Sequence, residues 1–481
     1  MNQYAAQQRL TAEARKAESI ACTTELVGEE QIVPYFHAMR ERLGDALTAS
    51  PAEYIREAEL PEAFRPTSAD STRIVMYIDP GTGSMLFSIV IGIAATGIYF
   101  IQSLKVKLKY NGLGKRGEEK EGEKLPLVIF AESKRYWNVF ESVCRELERR
   151  EMRCEYWTTS EDDPCFDEHF TYVRPVFIGE GNRAYAKLNL MNADVCLATT
   201  PGLDVLQWKR SKNVRKYIHI FHALDPGNGY RMFGLDYYDA VLMTGEFCAE
   251  NIRELEQLRD LPEKELVVTG STYMDSLLER KKALPQTEEK EHVPTVLLAP
   301  SWGASSALNR FGEKLLDGLI ASGYHIIVRP HPQTKTADPE LLEGLMKKYP
   351  DGEALEWNFD RDNFEVLNRS DLMISDFSGV VLDYTLVFDR PLLYLDTSYD
   401  PSPYDAAWSE KPYWNLRALP RLGKQITEAD FPRLREIIDG MLTENIWKQE
   451  RDEVRAEGWQ YPGEAAKRTV DYLAEEVRKK A

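Results

Sequence analysis

Asp371-Leu-Met-Ile-Ser-Asp-Phe-Ser-Gly-Val-Val-Leu-Asp-Tyr384 is the stretch on which the fold of this chain turns. The apolar run Leu372–Ile374 predicts a short buried strand, Ser375–Gly379 a tight turn, and Val380–Phe388 the helix that leaves it. Strand, small-residue turn and helix start together make an anion site, because free backbone N–H groups and the helix dipole face the strand's C-terminal end. Ser378 adds a hydroxyl donor, and Gly379 lets a ligand approach the backbone. The same residues also describe a plain strand-to-helix turn capped by serine.

Outward from this stretch the chain alternates. Downstream lies the strand Leu392–Leu395; upstream lie Thr295–Ala299 and His325–Val328, with helices at Ala307–Ser322, Leu341–Lys348 and Asn363–Arg369. An earlier alternation has strands at Leu125–Phe130, Cys154–Trp157, Pro175–Ile178, Asp194–Thr199, Tyr217–Phe221, Ala240–Thr244 and Leu266–Thr269. Its helices are Lys134–Arg150, Ala184–Met191 and Glu246–Arg259. Such alternation predicts an α/β protein of two Rossmann-like domains facing a cleft, with ligands at strand C-termini. The expected domains are 125–285 on the acceptor side and 286–425 on the nucleotide side, the charged, proline-containing stretch Arg280–Val293 forming the crossing between them. Helices in 426–481 pack back.

Composition restricts the function classes. A 481-residue chain with 43% hydrophobic and 29% charged residues is folded and needs more than one core. A net charge of −18 with a pI near 5.1 argues against general nucleic-acid binding. The six cysteines, Cys22, Cys144, Cys154, Cys165, Cys196 and Cys248, are scattered with no CxxC pair, which favours reduced thiols over a disulfide framework or a zinc site. Residues 1–75 are polar and carry no chemistry or secretory signal; native translation starting at Met76 is one alternative. Residues 85–101 form an uncharged run followed by Lys105, Lys107, Lys109, Lys115 and Arg116. That pattern predicts one transmembrane helix within 76–104 with everything after it cytoplasmic, the alternative being a buried helix. Residues 105–124 read as a linker.

If ligands bind at strand ends, the residues to inspect follow each strand. His222 leaves the strand Tyr217–Phe221 and enters a Gly- and Pro-rich loop, whereas His219, inside the strand, faces the other way. His331 stands between two prolines in Arg329-Pro-His-Pro332, which hold its imidazole outward, and Arg329 faces a phosphate or a carboxylate. Pro300 and Ser301 lie in the turn Ala299–Gly303, and Thr269–Thr272 is another small-residue turn; both touch a ligand or are merely tight. No GxGxxG, GxxxxGK[ST] or GxSxG motif fits this context. Two histidines, an arginine and anion-binding turns, with no metal cluster, suit group transfer from a nucleotide diphosphate.

In order, Ile218-His-Ile-Phe-His222, Val267-Val-Thr-Gly270, Val296-Leu-Leu-Ala-Pro-Ser-Trp302, Val328-Arg-Pro-His-Pro332, Ser375-Asp-Phe-Ser-Gly-Val-Val-Leu-Asp-Tyr384 and Arg390-Pro-Leu-Leu-Tyr-Leu-Asp396 resemble the CDP-glycerol glycerophosphotransferase family of teichoic-acid primases and polymerases. The resemblance covers roughly residues 190–400. It implies a glycosyltransferase-B fold at the cytoplasmic membrane face. It also implies transfer of glycerol phosphate, or a related polyol phosphate, from a CDP-activated donor to a hydroxyl of a lipid-linked or glycan acceptor, with CMP released and no cofactor or metal.

On this resemblance His222 is the general base and His331 stabilises the donor phosphates. Ser375, Asp376, Ser378 and Gly379 cradle the pyrophosphate, with Arg329, Asp383, Pro300 and Ser301 as neighbours. Three positions depart from the family pattern: Ala223 replaces the glycine after the first histidine, Gly303 replaces a basic residue after Trp302, and Ser271 follows Thr269-Gly270 where a basic residue is usual. These departures bear on the donor more than on the fold. The alternatives are a nucleotide-sugar transferase or epimerase on the same scaffold, or a non-catalytic membrane-tethered binding protein.

Overall fold

The computed structural model describes residues 124–285, 292–360, 362–396, 399–444 and 446–479. The expected membrane helix, the polar N-terminal segment and nearly all of the linker lie outside them. Among the described residues no helix is long and apolar enough to cross a membrane.

Two all-parallel sheets account for the alternation. The first contains β1 (Leu125–Ala131), β2 (Cys154–Thr158), β3 (Val173–Phe177), β4 (Ala193–Ala198), β5 (Val214–Ile220), β6 (Ala240–Met243) and β7 (Glu265–Val268), in the order β3-β2-β1-β4-β5-β6-β7. The second contains β8 (Thr295–Leu298), β9 (His325–Val328), β10 (Leu355–Trp357), β11 (Leu372–Ser375), β12 (Leu392–Leu395) and β13 (Lys424–Ile426), in the order β10-β9-β8-β11-β12-β13. Both orders reverse direction once, between β1 and β4 and between β8 and β11. A crevice opens at each reversal, because neighbouring crossover helices leave toward opposite faces. The stretch Asp371–Tyr384 supplies β11 and therefore lies at the second reversal.

Strand composition follows from burial on both faces. In β1, Leu127 and Ile129 enter one apolar core while Val128 and Phe130 enter another, so the strand reads as a continuous apolar run. The first of these cores also takes in Leu297, Met373 and Tyr384, so a single apolar cluster runs through both halves.

Four elements differ from expectation. β10 and β13 are three-residue edge strands, too short to show a period and defined only by their pairing with β9 and β12. The helix expected from Lys134 begins instead with a 3-10 turn, Lys134–Tyr136, and becomes α-helical at Trp137. The helix after the opening turn is α-helical only over Val380–Leu382, then runs as a π-helical turn over Asp383–Phe388 and ends at Asp389 with φ +55°. That widened turn contacts the helix Thr272–Ala283 of the other half, where Lys281 Nζ donates to the Val387 carbonyl at 2.9 Å.

Two later segments bind back to the first half. Asp405, fully buried, accepts from the Phe233 and Gly234 amides at 2.9 and 3.0 Å and pairs with Arg259, which also holds Asp236 at 2.6 Å. Near the C-terminus, Asp275 accepts from Trp459 Nε1, Gly463 N and Ala465 N at 2.8–3.0 Å. The helix Ala465–Arg478 then sets Asp471 on Arg150 and Glu476 on Lys216.

Candidate active site

The turn after β11 is held from within. Ser375 Oγ donates to the Ala299 carbonyl at 2.6 Å. Asp376, with no exposed surface, accepts from Ser301 N at 2.8 Å, Ala307 N at 2.9 Å and Ser378 N at 3.1 Å. Its carboxylate therefore clamps the β11 turn to the Pro300–Ser301 turn of β8 across the reversal point. Burial raises its pKa, and the three amides oppose that. Ser378 is buried. Gly379 opens the helix with ordinary φ, and a Cβ built there meets nothing within 4 Å, so space is open in front of this turn.

His331, after β9, is partly exposed and lies against Trp302, ring centroids 6.3 Å apart and planes 29° apart. Its Nδ1 accepts from Gln333 N at 3.2 Å. Burial beside apolar groups and the charge of Arg135 lower its pKa to about 4, so the ring is neutral near pH 7. With Nδ1 accepting, the proton resides on Nε2, which makes that atom a hydrogen-bond donor. Gly303, next to Trp302, has φ +82°, so the turn geometry requires glycine where the family pattern has a basic residue.

His222 follows β5 on the opposite half. Its Nδ1 lies 3.0 Å from Thr199 Oγ1, just past β4, and its ring is flanked by Tyr136 and Tyr230 at 5.1 and 5.9 Å. Burial lowers its pKa to about 4, with the Thr199 contact opposing and the Arg135 charge adding to the fall. In the tautomer that donates from Nδ1 to Thr199, Nε2 keeps its lone pair and can take a proton. His219 is fully buried among Phe221, Tyr230 and Tyr238, with Nε2 2.9 Å from the Tyr230 hydroxyl, a packing role.

An aromatic ladder links the two halves of the site. Phe377 of the β11 turn packs on Tyr399 at 5.3 Å, Tyr399 stacks on Tyr413 at 5.4 Å, and the Tyr413 hydroxyl donates to Asp225 Oδ2 at 3.0 Å. Asp225 Oδ1 in turn accepts from the Gly227 and Gly229 amides, shaping the loop that follows His222. Arg135, in the 3-10 turn that follows β1, acts electrostatically on His222 and on His331 alike.

Arg329 and Asp383 belong to a neighbouring, more enclosed cluster. Arg329 donates to Asn358 Oδ1 and, at 2.9 Å, to the Asp360 carbonyl. Asp383 accepts from the Tyr273 hydroxyl at 2.9 Å and is approached by Asn363 Nδ2 at 3.5 Å, a junction between the halves, and burial raises its pKa to about 7. The Thr269–Thr272 turn proves to be a tight turn under cover: a Cβ on Gly270 would lie 2.6 Å from the Gln460 carbonyl oxygen, and Ser271 is buried as the cap of the helix Thr272–Ala283.

Sequence reasoning missed Thr199, Arg135, Tyr136, Tyr399 and Tyr413. The strand-end rule that found His222 also points to Thr199 and to residues just past β1. The two C-terminal tyrosines lie in irregular chain and carried no signal. Five cysteines, Cys144, Cys154, Cys165, Cys196 and Cys248, are buried and unpaired, and no metal-like group of ligands occurs among the described residues.

Among solved structures, a histidine-to-asparagine variant of the wall teichoic acid polymerase TagF soaked with CDPG is 16% identical, with TM-score 0.48, over 79% of this chain and 98% of that one. A putative UDP-N-acetylglucosamine 2-epimerase from Listeria monocytogenes is 14% identical, with TM-score 0.47, over 75% and 98%. The UDP-GlcNAc 2-epimerase of Methanocaldococcus jannaschii, in complex with UDP-GlcNAc and UDP, is 16% identical, with TM-score 0.44, over 73% and 99%. No curated protein matches the chain in sequence. The family model of CDP-glycerol:poly(glycerophosphate) glycerophosphotransferase matches residues 237–473, which hold His331 and the whole β11 turn and begin shortly after His222. Over residues 237–473 this chain matches that enzyme family.

Proposed function

We propose that the protein transfers glycerol phosphate, or a related polyol phosphate, from a CDP-activated donor to a hydroxyl of a lipid-linked or glycan acceptor in teichoic-acid-type polymer synthesis. The observation that carries this reading is a pair of strand-end histidines on opposite halves, His222 held at Nδ1 by Thr199 and His331 accepting at Nδ1 from Gln333 N, with the β11 turn inside the region that matches the family and joined to the His222 loop through Phe377, Tyr399 and Tyr413. His222 Nε2 takes the acceptor proton as the acceptor oxygen bonds to the distal phosphorus. The bond from that phosphorus to the bridging oxygen breaks, and CMP leaves with the electron pair. His331 Nε2–H and the turn around Ser378 meet the oxygens on which charge collects.

A base with a pKa near 4 is weak at neutral pH. The two negative phosphates of a bound donor raise it, because a nearby anion favours the protonated ring. The uncharged run 85–101 with its trailing lysines supports action at the cytoplasmic membrane face; deleting it should move the protein to the soluble fraction, and unchanged membrane retention defeats that part.

CMP release from CDP-glycerol, other CDP-polyols and UDP-sugars tests the chemistry. His222→Gln and His331→Gln should each lower kcat by about 100- to 10,000-fold. No CMP from any CDP-polyol, or normal rates in both variants, overturns the reading.

A further inference from the structure

Arg135 lies in the 3-10 turn Lys134–Tyr136 that follows β1, on the chain leaving the reversal between β1 and β4, where an open parallel sheet receives its ligand. Its side chain is exposed, and among the described residues no carboxylate lies within ion-pair distance of it. Its side-chain hydrogen bond, Nε to Ser133 Oγ, is a long 3.4 Å. The preceding residue, Lys134, is by contrast paired with Asp162. An unneutralised surface arginine is ordinary in itself; its surroundings set this one apart. The adjoining Tyr136 ring lies 5.1 Å from the His222 ring, and the guanidinium sits 5.8 Å from that same tyrosine ring. Its charge is felt at His331 on the opposite half as well as at His222. The geometry thus sets a cation beside the Tyr136–His222 contact, next to the base and at the sheet's reversal.

We propose that Arg135 binds the distal phosphate of the CDP-activated donor, the one bearing the polyol, as a cation supplied by the acceptor-side half. The proposal rests on the transferase reading above and adds a residue that the family match, which begins at residue 237, does not reach. It also accounts for the missing basic residues at Gly303 and Ser271. Glycine is needed for the φ of the first turn, the second is covered, and the compensating charge comes from the facing sheet. The planar guanidinium suits two phosphate oxygens at once. A phosphate that neutralises Arg135 would also remove one of the influences that hold His222 unprotonated.

Calorimetric titration of the full chain with CDP-glycerol, CDP and CMP tests this. Arg135→Gln should weaken CDP-glycerol and CDP by about 10- to 100-fold, the size of a lost charge-assisted hydrogen bond, and leave CMP, which lacks the distal phosphate, within about 3-fold. Arg135→Lys should fall between, keeping the charge but not the fork. In turnover the KM for CDP-glycerol should rise by the same factor, with kcat changed less. Thermal unfolding should match the parent protein, because the side chain is exposed. Equal CDP-glycerol affinity in Arg135→Gln overturns the proposal and leaves the transferase reading standing, and so does an equal loss of CMP affinity. A parent protein that binds neither CDP-glycerol nor CDP overturns both.

Discussion

Replacing Asp376 by asparagine separates a residue that shapes the site from one that touches the ligand. Its carboxylate satisfies three backbone amides with no exposed surface. In the asparagine variant one oxygen can still serve Ser301 and Ser378, but the amide nitrogen then faces the Ala307 N–H, orphaning a buried donor at about 1–3 kcal/mol. The two retained bonds lose their ionic assistance, a further loss of about 1 kcal/mol. Removing a buried charge, whose pKa burial has already raised, offsets part of this. The net expectation is a loss of about 2–3 kcal/mol. At roughly 2–4 °C per kcal/mol for a domain of this size, Tm should fall by about 4–12 °C. Circular dichroism melting reads the first number; CMP release at a temperature where both proteins are folded reads the second, a raised KM for the donor. A variant that melts within about 1 °C of the parent and yet loses donor affinity would falsify the clamp and place the carboxylate on the ligand.

Two further substitutions use the geometry differently. Gly379→Ala should leave Tm unchanged or raise it slightly, since φ is helical and the space is open, while raising the donor KM if a phosphate fills that space; an unchanged KM shows that nothing approaches Gly379. His222 has a folded pKa near 4 against an ordinary 6.5, so the unfolded chain takes up its proton first. The stability that depends on its neutrality is present above about pH 6.5 and is lost as pH falls toward 4. Asp383 and Asp405, raised to about 7 and about 6, act in the opposite sense, so the comparison must be between variants. Between pH 7 and pH 5, His222→Gln should lose about 2 kcal/mol less than the parent in denaturant midpoints, at 1.36 kcal/mol per unit; parallel curves refute the burial argument.

Much of the fold was legible because burial on both faces of a parallel sheet leaves unbroken apolar runs, and small-residue turns mark where such strands stop. Those two signals located eleven strands of the alternating chain, and they placed His222, His331 and the Ser375–Gly379 turn at strand ends. They could not assign partners. Asp376 read as a ligand residue because an acidic side chain in a phosphate turn looks available, and only the approach of the Ser301 and Ala307 amides shows its oxygens occupied. Tyr413 and Asp225 are 188 residues apart, and Tyr273 and Asp383 are 110 apart; contacts over such separations are set by how the halves face each other. Sequence alone thus determined all the strands but the short edges β10 and β13, their order of appearance and the histidines at their ends, because these depend on local periodicity and turn chemistry. The tertiary structure decided which polar groups are consumed in holding the turns and which rings and charges come to stand beside His222, because hydrogen-bond satisfaction and burial belong to the packed chain.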